Sequence, residues 1–256
     1  MTSRPGSCRH PRTLGRDPQQ LLQNQSPLLN GTPSRDTVDR FFNALGKPRC
    51  ALITHISSDG AEWIIIPAEL HCPNATICLD PFHIVGWATA ALDKVRREVW
   101  NRVRRAGLRD EAREIKDSRW ALLKNPEDLT EKQSRKLAVI AQVNDPLYRA
   151  YLLKEQLRMI FRVPYEQAKV LLESWLKWAR RCRIEPFVKL ARTITYYRQD
   201  IEATLLHGVN NARSESANTK IRLIARRAFG FHSAKALIAL SELTLGGLRL
   251  SLPGRL

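Results

Sequence analysis

CALITHISSDGAEWIIIPAELHCPNATICLDPFH, residues 50–83, decides the fold class because it alternates short β-branched runs with one longer apolar run. CALITHI (50–56) and TICL (76–79) have the length and composition of buried strands. The segment between them predicts a helix of about ten residues, in which Pro67 is expected to kink the helix or shift its start. A strand, a helix and a strand within about thirty residues predict a βαβ unit with parallel strands.

An aspartate follows each predicted strand, Asp59 in SSDG and Asp80 in DPFH. Because functional groups gather at the carboxyl ends of strands in open α/β sheets, we expect these two side chains to be neighbours. Taken alone, each motif has a simpler interpretation. Asp59 before glycine is typical of a turn, and Asp80 before proline is typical of a turn with His83 in the next helix.

Helices are predicted for most of the remaining chain. SRDTVDRFFNALG (34–46) has a polar cap, apolar residues at helical spacing and a glycine stop. Similar patterns recur through residues 84–206, where prolines lie just inside helix starts and glycines just past helix ends, which predicts antiparallel helices with short connections. FVKLARTITYYRQDIEATLLHG (187–208) is predicted as one helix. We expect the aromatic residues of this part of the chain to pack in the core or at its rim: Trp175, Trp178, Tyr196 and Tyr197.

The composition favours a polyanionic partner. Lys and Arg number 42 against 25 Asp and Glu, which gives a net charge of +17, and nucleic acid is the commonest polyanion. A basic protein whose charge is only a solvated face is the alternative. No apolar run is long enough to cross a bilayer, and residues 1–30 lack a signal-peptide core, so we expect no membrane association and a cytoplasmic, nucleoid-associated location.

One carboxylate stands alone in the basic segment HGVNNARSESANTKIRLIARRAFGFHSAK (207–235), where Glu215 is accompanied by six lysines and arginines. It is either a solvated helix residue or a metal ligand beside a polyanion. Together with Asp59 and Asp80 it could bind Mg²⁺, which prefers oxygen ligands and supports phosphoryl transfer when two ions lie together. A zinc site built from residues 71, 72, 78 and 83 has unusual ligand spacing, and Cys72 and Cys78 fit better as buried residues.

Several blocks of the chain resemble successive blocks of bacterial insertion-sequence transposases, namely the ISL3 family of DDE transposases. The resemblance extends over residues 34–256 in THISSDGAEWI, PNATICLDPFHIV, KDSRWALLKNPEDLT, LYRAYLLKEQLR, RIEPFVKLARTI and HGVNNARSESANTKIRLIARRAFGFHS. It implies an α/β fold, with a partial ribonuclease H-like core built on the βαβ unit and a large, predominantly helical insertion. The domains expected are a disordered or unrelated leader (1–33), the partial core (34–84), the insertion (85–206) and C-terminal helices carrying the glutamate (207–256).

The resemblance also implies roles for individual residues. Asp59 and Glu215 match catalytic, metal-binding carboxylates that use Mg²⁺ or Mn²⁺, and Asp80 and His83 match a supporting D-x-x-H element. The implied partners are double-stranded DNA, as transposon ends and target, and further copies of the chain in a homo-oligomer. The residues expected to contact DNA lie in the segment around the glutamate: Asn218, Lys220, Arg222, Arg226 and Arg227.

The chain departs from the family pattern at its start. In the family, the first catalytic aspartate precedes the segment matched by SRDTVDRFF, and neither Asp17 nor the pair Asp36 and Asp39 lies on a predicted strand. We therefore expect a truncated copy with impaired or no transposition activity. The alternative interpretation is a non-catalytic, basic helical DNA-binding remnant.

Overall fold

Helices account for most of the chain that the computed structural model describes, residues 34–245. The predictions for the leader 1–33, including Asp17, and for residues 246–256 lie outside the described residues. With elements numbered in chain order, the helices are α1 (Arg35–Leu45), α2 (Lys47–Cys50), α3 (Glu62–His71), α4 (Pro81–Arg105), α5 (Arg109–Asp117), α6 (Arg119–Leu123), α7 (Glu131–Val143), α8 (Asp145–Ile160), α9 (Tyr165–Arg181), α10 (Glu185–Tyr196), α11 (Arg198–His207), α12 (Ala212–Arg227) and α13 (Ala234–Leu245).

The two strands of the described residues form a parallel sheet. Strand β1 (His55–Ser58) pairs with β2 (Thr76–Leu79), and Ser58 lies opposite Leu79. Helix α3 connects them and runs through Pro67, at the loss of one backbone hydrogen bond. The predicted strand, helix and parallel strand are confirmed.

The first strand begins and ends later than its sequence pattern predicts, at His55 and Ser58 rather than at residues 50 and 56. Cys50 ends the short helix α2, and pairing starts only where Thr76 N donates to Thr54 O at 2.8 Å. The prediction of a strand from residue 50 was therefore wrong. The physical reason is that a strand extends only as far as its partner, and β2 offers four residues.

The predicted helix over 187–208 is two helices, α10 and α11, which meet at Tyr197. Helix α10 packs mainly on α9 and α4, whereas α11 packs mainly on β2 and also contacts α9. The two helices therefore have different principal packing partners. Tyr197 holds the junction, since its hydroxyl donates to Gly60 O at 3.1 Å and its ring packs against Trp87.

Helix α4 is the longest helix of the described residues and links the sheet to the helical part of the chain. Its 25 residues span about 37 Å. It packs on α5, α6, α8 and α10. Its buried apolar residues recur every three or four positions, as the core face of an amphipathic helix requires: Ile84, Ala88, Leu92, Val95 and Val99. The helix ends at Arg105, two residues before Gly107.

A charged network joins α8 to the 3₁₀ turn Pro126–Asp128. Arg158 donates two hydrogen bonds to Glu127, at 2.7 and 3.1 Å, and one to Glu155 at 2.8 Å. Arg162 donates to Glu127 at 2.8 Å. These donors lower the pKa of Glu127 to about 2.

The aromatic residues of the helical part pack mainly inward. Trp175 is fully buried and its Nε1 donates to Leu153 O at 2.8 Å, and Tyr197 is also buried. Tyr196 is about half exposed. Among the helices of residues 34–245, none combines the length and the apolar character that a membrane span needs.

Candidate metal centre at the carboxyl edge of the sheet

Asp80 follows β2 directly and precedes the first residue of α4. Its backbone N–H donates to Ser58 O at 2.8 Å, which continues the strand pairing by one residue. Its side chain is buried, with 2% of the residue exposed, and its Oδ1 accepts from Asn211 N at 3.0 Å. Its Oδ2 is buried and has no hydrogen-bond partner within residues 34–245. Since a buried, unpartnered carboxylate oxygen is energetically costly, this atom fits a bound cation.

His83 and Glu215 complete a group around Asp80. One ligand atom from each of the three side chains lies within 4.8 Å of the others. The D-x-x-H spacing places Asp80 at the N-cap of α4 and His83 in its first turn, so both lie at the same end of the helix. Glu215 comes from the first turn of α12 and is exposed. The group therefore combines a buried carboxylate with one that opens to solvent.

The start of α12 is held at Asp80 by the chain before it. Helix α11 ends at His207, and Gly208 caps it in the left-handed conformation with φ of 65°. The chain then turns so that Asn211 donates its N–H to Asp80, and Glu215 N donates to Asn211 O at 2.9 Å. The bond between Asn211 and Asp80 joins residues 131 positions apart and brings Glu215 to the edge of the sheet.

Helix α11 packs on β2 and contacts the same edge of the sheet. Thr204 Oγ1 donates to Leu79 O at 2.7 Å, so a buried hydroxyl fixes the carbonyl that precedes Asp80. Tyr197 fixes Gly60, the residue after Asp59. Gly60 has φ of 91°, a backbone conformation that favours glycine. A Cβ atom at this position would lie close to Leu79 and Trp87.

Asp59 lies in the turn after β1, and its Oδ1 accepts from Ala61 N at 3.0 Å. It follows Ser58 as Asp80 follows Leu79, and these two residues are paired in the sheet. That the side chains of Asp59 and Asp80 are neighbours stays a prediction. Asp59 is not a member of the group formed by Asp80, His83 and Glu215. Its assignment as a metal ligand with Glu215 stays a prediction.

The predicted DNA-contacting residues all lie on α12, whose side chains are exposed or partly exposed. Asn218, Arg222 and Arg226 share the face of Glu215, because they follow it by three, seven and eleven residues. Lys220 and Arg227 lie on a different face of the helix. The five predicted residues therefore divide into three beside the glutamate and two away from it.

The donor set decides which cations the group suits. Two carboxylates and one imidazole offer oxygen and nitrogen donors, a combination that Mn²⁺ accepts readily and that Mg²⁺ accepts mainly through its oxygens. The alternative zinc set does not come together, since His71 hydrogen-bonds Asp39 at 2.9 Å whereas His83 lies beside Asp80. Cys72 is buried, and burial together with the nearby Cys50 raises the pKa of its thiol.

Three residues of this edge were not identified from the sequence. Asn211 acts through its backbone N–H, which any residue except proline provides. Thr204 and Tyr197 lie in a segment that predicts only helix, and their partners are 125 and 137 positions away. No local sequence signal identifies such contacts.

Comparisons with known proteins agree on one protein family. A DDE transposase family model of the ISL3 type, described as a transposase, matches residues 17–241. This match begins inside the segment 1–33 that the sequence patterns set apart as a leader. The transposase for insertion sequence element IS1557 of Mycobacterium tuberculosis is 50% identical over 249 residues, covering 89% of this chain and 56% of that protein. The transposase for insertion sequence element IS1001 of Bordetella parapertussis is 30% identical over 202 residues, covering 77% of this chain and 49% of that protein.

The chain spans about half the length of the curated relatives it matches, 56% of one and 49% of the other. No solved structure matches it.

Proposed function

Because this chain belongs to the ISL3 family of DDE transposases, we propose that it performs metal-dependent DNA strand cleavage and strand transfer at transposon ends. The observation that carries the proposal is the group of Asp80, His83 and Glu215, whose ligand atoms lie within 4.8 Å of one another. A cation-binding group in a chain of net charge +17 suits chemistry on a polyanion.

The metal would be held by Asp80, His83 and Glu215. Asp59 follows the end of β1, the strand that pairs with β2. A divalent ion in such a site stabilises the charge that develops on phosphate oxygens during phosphoryl transfer. Asp80 supplies a fixed, desolvated oxygen, because Asn211 N–H holds its other oxygen. Glu215 is exposed and leaves the site open to a DNA strand from the side of α12.

The fold assignment that accompanies this function is a partial ribonuclease H-like core. Its support is the parallel βαβ unit with an aspartate after each strand, together with the sequence blocks that resemble the family. In this assignment, residues 85–206 form the helical insertion between the core and the glutamate helix. The active complex on DNA is a homo-oligomer.

Helix α12 is proposed to contact the DNA backbone next to the cleavage site. Asn218, Arg222 and Arg226 carry this role best, because they share the face of Glu215. Lys220 and Arg227 lie on another face and would contact a different stretch of DNA. Phosphate contacts of this kind position the duplex without reading its sequence.

The metal site is tested by titrating the chain with Mn²⁺ and following the spectrum of the free ion by electron paramagnetic resonance. Asp80→Asn and Glu215→Gln are expected to weaken binding at least tenfold, whereas Glu166→Gln, which changes an exposed carboxylate on α9, leaves it unchanged. Circular dichroism checks that each variant is folded. Equal Mn²⁺ affinity in all four proteins would refute the site.

Activity is tested by nicking of transposon-end DNA in Mg²⁺ or Mn²⁺. Nicking that is lost in Glu215→Gln and kept in Glu166→Gln supports the proposed function. Nicking that survives in Glu215→Gln contradicts it.

The second candidate function is DNA binding without cleavage. It is favoured by Asp59, whose carboxylate is engaged in the turn with Ala61 and does not join the metal group. This function predicts salt-sensitive DNA affinity with no nicking in either metal, and equal affinity in the Glu215→Gln variant.

A further inference from the structure

One face of helix α4 leads from the metal group to a cluster of basic side chains. At about 100° per residue, the positions of Lys94, Arg97 and Arg105 fall within about 40° of His83 around the helix axis. Asn101 falls on the same line. All four side chains are exposed, and Arg97 has 62% of its side chain in solvent.

Between His83 and Lys94 this face carries Trp87 and Ala90, with Gly86 at its border. Gly86 and Ala90 are exposed, whereas Trp87 is partly buried and its ring packs against Tyr197. A Cβ atom added at Gly86 would meet no other atom within 4 Å. The exposed positions at this face between the metal group and Lys94 are therefore those of small residues, Gly86 and Ala90.

The charge of the far end of α4 is strongly positive. Its exposed cations are Lys94, Arg97, Arg102, Arg104 and Arg105. The exposed anion on the same stretch is Glu98, while Asp93 is paired with Arg96 and Arg97. Arg104 lies over the ring of Trp100 at 4.9 Å, which limits the directions that its guanidinium can take.

The spacing along α4 matches the repeat of a DNA duplex. With a rise of about 1.5 Å per residue, Lys94 lies about 17 Å and Arg105 about 33 Å from His83 along the helix axis. One turn of B-DNA is about 34 Å. A duplex aligned with α4 that presents a phosphate to the metal group would present the same backbone to Arg105 one turn later.

We propose that this face of α4, defined by Lys94, Arg97, Asn101 and Arg105, binds the phosphate backbone of the duplex that enters the metal group. The proposal rests on the proposed function, because it assigns the same DNA to both places. The α4 face fixes the direction of the duplex, and it adds phosphate contacts that are separate from those of α12.

The test is the salt dependence of binding to a labelled duplex of about two helical turns, measured by fluorescence anisotropy without divalent metal between about 50 and 200 mM salt. The double variant Lys94→Gln, Arg105→Gln is compared with the unmodified chain. The matched control is Lys177→Gln, Arg181→Gln, which removes the same charge from exposed positions on α9. Helix α9 packs on α8, α10 and α11.

Each lost phosphate contact lowers the slope of log affinity against log salt by about 0.9. The α4 variant is therefore expected to lose about 2 from the slope and at least tenfold in affinity at about 0.1 M salt. The α9 control is expected to keep the slope of the unmodified chain. Thermal unfolding followed by circular dichroism shows whether both variants remain folded, which their exposed positions favour.

Three results would overturn the proposal. Equal losses in the two variants mean that only total charge matters, and no loss in either means that α4 does not touch DNA. Tighter binding of a double-stranded RNA with the same dependence on Lys94 and Arg105 assigns the face to RNA. Because this assay contains no metal, a chain that fails to nick DNA but shows the expected slopes contradicts the proposed cleavage and leaves the α4 face supported.

Discussion

Thr204→Val is expected to destabilise the edge of the sheet that carries the metal group. The substitution keeps the shape of the side chain and removes the hydroxyl that donates to Leu79 O at 2.7 Å. Leu79 is fully buried, so its carbonyl loses a partner that water cannot replace. Leaving a buried acceptor unsatisfied costs about 1–3 kcal/mol. For a chain of this size each kcal/mol lowers the melting temperature by about 2–4 °C.

The assay is urea unfolding followed by circular dichroism, combined with the Mn²⁺ titration of the same protein. Thr204→Ser is the matched control, because it keeps the hydroxyl and is expected to cost less than Thr204→Val. The metal affinity of Thr204→Val is also expected to fall, since Asp80 follows the released carbonyl directly. If Thr204→Val unfolds at the same urea concentration as the unmodified chain and binds Mn²⁺ equally well, then α11 does not position this edge.

Three further substitutions test other parts of the structure. Glu127→Gln removes a carboxylate whose pKa is lowered from 4.5 to about 2 by hydrogen bonds from Arg158 and Arg162. The stabilisation that these bonds give the folded state is complete above about pH 4.5 and is lost as the pH falls toward 2. Melting temperatures measured from pH 7 to pH 3 should therefore depend less on pH in the variant. Gly60→Ala is expected to cost about 1–3 kcal/mol in urea unfolding, because φ is 91° and the added Cβ lies 3.3 Å from a Leu79 methyl, and an unchanged midpoint would contradict the strain. Trp175→Phe is expected to cost about 1–3 kcal/mol through lost packing and the lost bond to Leu153 O, and a variant as stable as the unmodified chain would show that this core site repacks freely.

Much of the fold follows from local patterns. The strand TICL, the ten-residue helix around Pro67 and the helix that stops at Gly46 each have their own signal in apolar spacing and in turn residues. The predicted boundaries of the first strand, residues 50 and 56, were wrong, and so was the single helix across Tyr197. These errors depend on distant partners. The length of β1 is set by β2, and the break at Tyr197 is set by the different surfaces that α10 and α11 cover.

The candidate site also has one part that the local sequence predicts and one part that depends on distant contacts. The D-x-x-H spacing of Asp80 and His83 is local, since helix geometry brings residues three apart together wherever a helix begins. The convergence of Glu215 on this pair is not local. It depends on the contact between Asn211 and Asp80 across 131 positions, which only packing creates.

By itself the sequence determined the helical character of the chain, the parallel strand pair, the aspartates at the strand ends and the excess of positive charge. These properties follow from periodicity, propensity and composition, which act over a few residues or over the whole chain. Only the tertiary structure brings ligand atoms of Asp80, His83 and Glu215 within 4.8 Å of one another. The reason is that the orientation of a strand-end carboxylate depends on its partners. Ala61 N–H holds Asp59 in its own turn, whereas Asn211 N–H binds one oxygen of Asp80 and leaves the other for the group.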